Sequence, residues 1–134
     1  MNILVDTHYL IWILNNPDKI NTKIKKLLQS DTNNIYASSI NFWEISLKST
    51  LGKISLKNIS LEKVYKSTME SNITILNLTP QEAISFYKLP LTKHQDPFDR
   101  MLIWQAIYNN YFFLTEDKYI KNNYTKFGLK LISY

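Results

Sequence analysis

Short, continuously apolar runs alternate with longer helical patterns along the whole chain, and this alternation limits the fold more than any other feature. The helical segments repeat apolar residues at spacings of three and four, and the short runs are typical of buried strands. Continuous apolar strands separated by helices indicate an α/β protein with a mostly parallel sheet of four to five strands, covered on both faces. The predicted strands are 2–6, 34–38, 73–78, 111–115 and 129–133.

The helical patterns carry their own start and stop signals. Ser38 or Ser39 can cap the helix that follows them, and Gly52 stops it. Thr79 precedes a proline, which is typical of an N-cap followed by the first helical position. The other helical patterns lie at 7–16, at 18–29, at 60–71, from 97 onward and in a short turn after 117. With 134 residues and no linker or repeat, the chain is expected to form a single domain over residues 1–134.

Composition excludes several kinds of protein. The absence of cysteine excludes disulfides and thiolate metal sites. The N-terminal segment contains Asp6 and lacks an initial basic stretch, so no signal peptide is predicted and a cytoplasmic location is expected. The net charge of +5 favours a polyanionic partner, but the lysines are spread singly apart from 23–26, as on an ordinary solvated surface. Charge alone therefore does not identify a partner.

Two of the predicted strands end at or just before an aspartate. Asp6 ends the first strand, and Asp117 follows the strand 111–115. Each could simply cap the helix that comes next. However, the carboxyl ends of parallel strands meet at one edge of the sheet, where two aspartates on neighbouring strands would repel each other. A bound cation would relieve that repulsion.

Two further acids are expected to point inward from helices. The first of these acids is Glu44, and the simplest alternative role for it is an ion pair with Lys48. Such a pair contributes only about 0.2–0.5 kcal/mol, whereas burial of an unpaired ion costs several kcal/mol. Asp96 is well placed as a cap before a proline, which accounts for it, but Asp99 faces the buried side of the same helix. The apolar residues that share a face with Glu44 are Ile40, Leu47 and Leu51, and those that share a face with Asp99 are Leu102, Ile103 and Ala106.

Four acids from four segments, without cysteine or clustered histidine, favour a hard divalent cation such as Mg²⁺ or Mn²⁺. The four are Asp6, Glu44, Asp99 and Asp117. One such ion, or two, would support hydrolysis of a phosphodiester by polarising the phosphoryl oxygen and lowering the pKa of a bound water.

The sequence resembles the PIN-domain ribonucleases over essentially its whole length, and in particular the VapC-like toxins of bacterial toxin–antitoxin pairs. The matching segments, in order, are LVDTHYLIW (4–12), ASSINFWEISLK (37–48), HQDPFDRMLIWQA (94–106) and LTEDKYI (114–120). The resemblance implies a three-layer α/β/α sandwich and Mg²⁺- or Mn²⁺-dependent endonucleolytic cleavage of RNA that leaves a 5′-phosphate. It also implies a homodimer and inhibition by a cognate antitoxin protein. By the resemblance, the four acids match the family's metal-binding residues, and Thr115 matches a hydroxyl residue that supports the last of them.

Several polar residues near the acids are candidates for supporting or substrate-binding roles. Arg100, the only arginine, and Lys93 flank the acids and could hold RNA phosphate, as could Lys48. Solvated side chains are the alternative for the lysines. Thr7 and Asp96 are expected to support the site.

Other readings fit the residues less well. A metal-free ribonuclease could use His8 and His94 as acid and base, but it would leave four inward acids unexplained. Phosphatases of the haloacid dehalogenase type need a second acid two positions after the first, where this chain has histidine, and receiver domains need a pair of acids at the end of the first strand. The remaining alternative is a PIN-fold module that binds RNA or protein without catalysis.

Overall fold

A five-stranded, all-parallel sheet forms the centre of the protein, whose computed structural model describes residues 1–132. The strands are β1 (Asn2–Val5), β2 (Asn34–Ser38), β3 (Thr74–Leu76), β4 (Phe112–Leu114) and β5 (Lys130–Leu131). Their order in the sheet is β3-β2-β1-β4-β5, and every neighbouring pair is parallel. All five predicted strands are therefore present, although most are shorter than predicted. Ser133, the last residue of the fifth predicted strand, lies outside the described residues.

Helices connect the strands. They are α1 (Thr7–Asn15), α2 (Thr22–Gln29), α3 (Ser39–Thr50), α4 (Val64–Glu70), α5 (Pro80–Ser85), α6 (Pro97–Tyr108) and α7 (Lys118–Asn123). Ser38 is the residue that caps α3, and beyond its end Gly52 has a φ of +72°. The helix predicted from residue 18 begins only at Thr22, because Ile20 is extended and the side chain of Asn21 caps the new start. No helix within residues 1–132 is both long and apolar enough to span a membrane.

Two apolar clusters cover the two faces of the sheet. Successive residues of β1 alternate between them, since Ile3 and Val5 belong to one cluster and Leu4 to the other. In β4, Phe113 and Leu114 divide in the same way. All five of these side chains are fully buried. The fold is thus the expected three-layer α/β/α sandwich.

The central strands β1 and β4 define the place where a site is expected. The chain leaves β1 toward β2 on one side of the sheet, whereas β4 pairs on the other side, so their carboxyl ends meet at the topological switch point. The backbone N–H of Asp6 continues the pairing by donating to the carbonyl of Leu114 over 3.0 Å. Residues that follow β1 and β4 are therefore side by side.

A buried polar network joins β2, α5 and α6. The hydroxyl of Ser38 donates to Gln105, whose amide approaches the carboxylate of Glu82 at 3.4 Å. The same carboxylate accepts from Asn109 at 2.6 Å and from the backbone N–H of Thr79 at 2.8 Å. These bonds fix α6 against the strand that leads into α3. Both helices carry acids of the candidate site.

Arg100 ties α6 to the loop before it and to the end of α7. It is buried, and its guanidinium donates to the carbonyls of Leu89 and Pro90, both at 3.2 Å. It also donates to the hydroxyl of Tyr124 at 3.1 Å. The guanidinium lies 5.5 Å from the ring centroid of Phe86, within cation–π range. Arg100 therefore acts as a structural residue inside the protein.

Replacement of Arg100 by methionine is expected to lower the free energy of unfolding by roughly 2–4 kcal/mol, because the buried acceptors lose their donor. Urea unfolding followed by circular dichroism measures the change. The control is Lys88→Met, which removes an exposed positive charge from the segment between α5 and α6. This change should alter the free energy of unfolding by less than about 0.5 kcal/mol. Equally small effects in both variants would show that these bonds contribute little to the fold.

Candidate metal centre

Asp6 combines a structural role with an unfavourable charge. Its carboxylate caps α1 by accepting from the backbone N–H of Tyr9 at 2.9 Å, and the residue is only 5% exposed. Burial raises its pKa to about 6, although hydrogen bonds from Thr115 and Tyr9 and the charge of His8 lower it. The nearby charge of Asp99 raises it further. In the absence of a cation, the ionised form of Asp6 is therefore less favourable in the folded protein than in the unfolded chain.

Glu44 is buried on α3 and has two partners. Its carboxylate accepts from the hydroxyl of Thr7 and from the ammonium of Lys48. The ion pair with Lys48, considered from the sequence as an alternative, is thus present. Asn41 donates to the Thr7 hydroxyl at 3.1 Å, so this part of the site is held by a short chain of buried bonds.

The helical face predicted around Glu44 is partly wrong. Ile40 is buried as expected, but Leu47 and Leu51 are 40% and 58% exposed. The buried residues of α3 instead include Asn41 and Ile45, and the side-chain amide of Asn41 donates to the carbonyl of Val5 in β1 and to the hydroxyl of Thr7 in α1. Glu44 is buried because it borders these residues, next to Thr7.

Asp99 faces the site from the first turn of α6, with its side chain 24% exposed. Its inward partner is His94, whose Nε2 lies 2.9 Å from Oδ2 of Asp99. Burial raises the pKa of Asp99, and the charges of Asp96 and Glu44 add to the shift, while His94 opposes it. Asp99 thus carries charge repulsion from two sides.

Asp96 is the N-cap of α6, as predicted. It accepts from the backbone N–H groups of Phe98 and Asp99 at 2.9 and 3.2 Å. Its second carboxylate oxygen also lies 3.6 Å from the ammonium of Lys48. Asp96 therefore lies in the acid cluster and also caps the helix. From the sequence it was expected to support the site, but the contact with Lys48 was not predicted.

Asp117 caps α7 and is exposed, whereas Thr115 beside it is buried. The Asp117 carboxylate accepts from the backbone N–H of Ile120 at 3.0 Å. The Thr115 hydroxyl accepts from the backbone N–H of Asp117 at 3.1 Å and also bonds to the Asp6 carboxylate. Thr115 is consequently placed to orient both acids that follow β1 and β4.

Two groups of ligand atoms overlap in this region. One consists of Glu44, Asp96 and Asp99, and the other of His94, Asp99 and Asp117; within each group the ligand atoms lie within 4.8 Å of one another. Asp6 is in neither group at that spacing, but the charge of Asp99 raises its pKa. A predominantly oxygen donor set with surplus negative charge fits a hard divalent ion. Asp99, which both groups share, is at the centre of the arrangement.

The basic candidates divide between surface and interior. The expectation that Arg100 holds phosphate is wrong, because its guanidinium is buried and bonded to backbone carbonyls and a tyrosine. Lys93 is exposed beside His94. Lys48 and Lys53 line an open groove of about 450 Å³ that also includes Glu44 and Asp96. This groove borders the acids and could receive a phosphate chain.

Sequence reasoning missed three members of the site. His94 was considered only as a catalytic acid or base, although its position five residues before Asp99 and two before a cap could have indicated a contact. Lys53 follows the end of α3 and gave no separate signal. Asn41 reaches Thr7 across elements, and the sequence pattern of α3 does not reveal that contact.

Solved structures share this fold. VapBC2 from Rickettsia felis, bound to a DNA fragment from their promoter, is 18% identical with a TM-score of 0.67 over 98% of both chains. VapBC-1 from nontypeable Haemophilus influenzae is 14% identical with a TM-score of 0.64, over 99% of this chain and 98% of that one. FitAB bound to the IR36 DNA fragment is 18% identical with a TM-score of 0.65, over 97% and 93%. At these identities the likeness establishes the fold.

A match to a protein family includes the acids of the candidate site. None of the curated proteins matches the sequence significantly. The family described as PIN domain matches residues 3–126, a range that contains both ligand groups and Asp6. The parallel sheet, the acids that follow β1 and β4, and this match over most of the chain lead to one conclusion: the chain belongs to the PIN domain family.

Proposed function

We propose that the protein is an Mg²⁺- or Mn²⁺-dependent endoribonuclease. The observation that supports this most directly is the pair of overlapping ligand groups that share Asp99. Buried Asp6 is close enough to Asp99 for the charge of Asp99 to raise its pKa. Residues proposed to hold the ion are Asp6, Glu44, Asp99 and Asp117. A bound divalent ion would polarise a phosphoryl oxygen of RNA and lower the pKa of a water for attack on phosphorus.

The chain's own residues would orient the ligands and attract the substrate. Thr115 holds Asp6, and Thr7 with Asn41 behind it holds Glu44. Lys48 and Lys53 line the groove beside the acids, where they would attract the phosphates of an RNA strand. Lys93 is exposed near the same acids and is proposed to add to that attraction.

We further propose that the protein is the toxin of a toxin–antitoxin pair. Support comes from the resemblance to VapC-like toxins and from the fold shared with VapBC2, VapBC-1 and FitAB. On this proposal the chain forms a homodimer, acts on RNA in the cytoplasm and is inhibited by a cognate antitoxin. A neighbouring gene for a small DNA-binding protein whose product relieves growth inhibition by this chain would support the assignment.

Asp99→Asn is expected to reduce RNA cleavage by about 100-fold or more, because removal of groups that merely orient a ligand already costs 10- to 100-fold. Cleavage of a labelled RNA by the purified protein, with Mg²⁺ or Mn²⁺ and with excess EDTA, measures the effect. Asp31→Asn is the matched control, since Asp31 is exposed in the turn before β2.

The same assay separates the nuclease from a binding module. A binding module would retain its RNA affinity and cut at no metal concentration. Cleavage that continues unchanged in EDTA would contradict the metal-dependent mechanism.

Asp6→Asn is expected to stabilise the metal-free protein at neutral pH, because asparagine caps a helix as well as aspartate does and carries no charge. Each pH unit between the folded pKa of about 6 and the ordinary 3.8 corresponds to about 1.4 kcal/mol, so ionised Asp6 costs on the order of 3 kcal/mol. A folded pKa above the unfolded value favours the protonated folded state. The stability that protonated Asp6 gives the folded protein is therefore lost as the pH rises from about 4 to 6, and it is absent at higher pH.

Chemical unfolding at pH 4 and pH 7, in EDTA, tests this expectation. The variant should gain roughly 1–3 kcal/mol over the parent at pH 7 and almost nothing at pH 4. Added Mn²⁺ should then stabilise the parent more than the variant, since an ion at 100 times its Kd adds about 2.7 kcal/mol. A variant less stable than the parent at pH 7 would show that ionised Asp6 does not destabilise the metal-free folded protein.

A further inference from the structure

We propose that His94 is a direct ligand of the bound ion, together with Asp99 and Asp117, and that the centre therefore prefers Mn²⁺ and Co²⁺ to Mg²⁺. The inference rests on the metal centre of the proposed function and specifies its ligands and its ion. It adds a nitrogen donor to a set of acids that the sequence alone had treated as complete.

The spacing of the three donors suits one ion. Nε2 of His94 is 2.9 Å from the Asp99 carboxylate. One ring nitrogen of His94, one oxygen of Asp99 and one oxygen of Asp117 lie within 4.8 Å of one another. Adjacent ligands of an octahedral ion bound at about 2.1 Å are roughly 3 Å apart, and opposite ligands are roughly 4.2 Å apart. Small side-chain adjustments, together with release to solvent of the proton shared by Nε2 and the Asp99 carboxylate, would thus bring all three donors to one ion.

The imidazole is held in position before any ion binds. The ring of His94 stacks on Tyr119, with centroids 5.6 Å apart and an interplanar angle of 20°, and its side chain is only 16% exposed. Its backbone N–H donates to the hydroxyl of Thr92 at 3.1 Å, and that hydroxyl is 2.8 Å from the hydroxyl of Tyr124. Arg100 anchors Tyr124 in turn. A ligand fixed in this way loses little conformational entropy on binding.

The other ligand group already contains a positive charge. The ammonium of Lys48 contacts Glu44 and lies 3.6 Å from Asp96. Among residues 1–132, no lysine or arginine forms an ion pair with Asp99 or Asp117. A cation at the Glu44 group would therefore have to share its acids with the Lys48 ammonium, whereas among the described residues the carboxylates of Asp99 and Asp117 are in no such pair with a lysine or arginine.

A nitrogen ligand changes which ion is preferred. Mg²⁺ takes oxygen ligands and keeps most of its waters, whereas first-row transition ions accept imidazole, and Co²⁺ binds nitrogen donors more tightly than Mn²⁺ does. An imidazole added to the carboxylates of this centre thus favours Mn²⁺ and Co²⁺ over Mg²⁺. An all-carboxylate centre would discriminate much less among these ions.

Pulsed EPR of the full chain loaded with Mn²⁺ alone tests the ligand directly, because a coordinated imidazole gives a ¹⁴N coupling to the ion. The chain has only two histidines, so His8→Gln is the matched control for His94→Gln. The coupling should be present in the parent and in His8→Gln, and absent in His94→Gln. Calorimetric titration should show Mn²⁺ affinity falling roughly 10-fold or more in His94→Gln, while Mg²⁺ affinity changes less than about 3-fold.

Each result decides the proposal. Mn²⁺ that binds to the parent without a ¹⁴N coupling overturns the inference and leaves the proposed nuclease standing if cleavage still needs metal. A coupling lost in His8→Gln assigns the nitrogen to the other histidine and also overturns it. Absence of any Mn²⁺ binding removes the proposed metal centre and this inference together. If His94→Gln fails to fold, the parent and His8→Gln spectra still give the answer.

Discussion

Repulsion between the carboxylates of Asp6 and Asp99, and between Asp99 and its neighbours Asp96 and Glu44, is the constraint on which the rest of the site depends. Parallel pairing of these strands places Asp6 beside the residues that follow Leu114, and α6 brings Asp99 toward them. Such crowding is tolerated because every acid has a second attachment: a helix N-terminus, a hydroxyl, an ammonium or an imidazole. The raised pKa values of Asp6 and Asp99 show that these attachments only partly offset the cost.

Helix α6 serves the site and the fold with adjacent residues. Asp99 faces the acids, and Arg100, about 100° further around the helix, faces inward to Leu89, Pro90 and Tyr124. Arg100 fixes the loop that carries His94, and it also fixes Tyr124, whose ring lies near the imidazole of His94. A structural residue therefore controls the position of a candidate ligand. On the far side of the helix, Gln105 and the Glu82 network secure α6 against β2 and α5.

Local features of this protein were readable from the sequence, and contacts between distant segments were not. The strands and the caps Asp96 and Thr79 followed from apolar runs and cap chemistry, which depend on neighbouring residues. Arg100 was misassigned because charge suggested a phosphate ligand, while its true partners come from two other segments, at 89–90 and at Tyr124. His94 was undervalued because its ring stacks on Tyr119, a residue from a distant segment that the local sequence does not reveal. The exposure of Leu47 likewise depends on which face of α3 meets α1.

Three of the site's aspartates are helix N-caps: Asp6 for α1, Asp96 for α6 and Asp117 for α7. Asparagine fills that structural position equally well. A single-base change from an aspartate codon to an asparagine codon would thus remove a carboxylate from the candidate site while keeping the helix cap. A descendant that lost the proposed nuclease activity in this way would keep a foldable chain, and the scaffold would remain free to acquire a role in which nothing is cut.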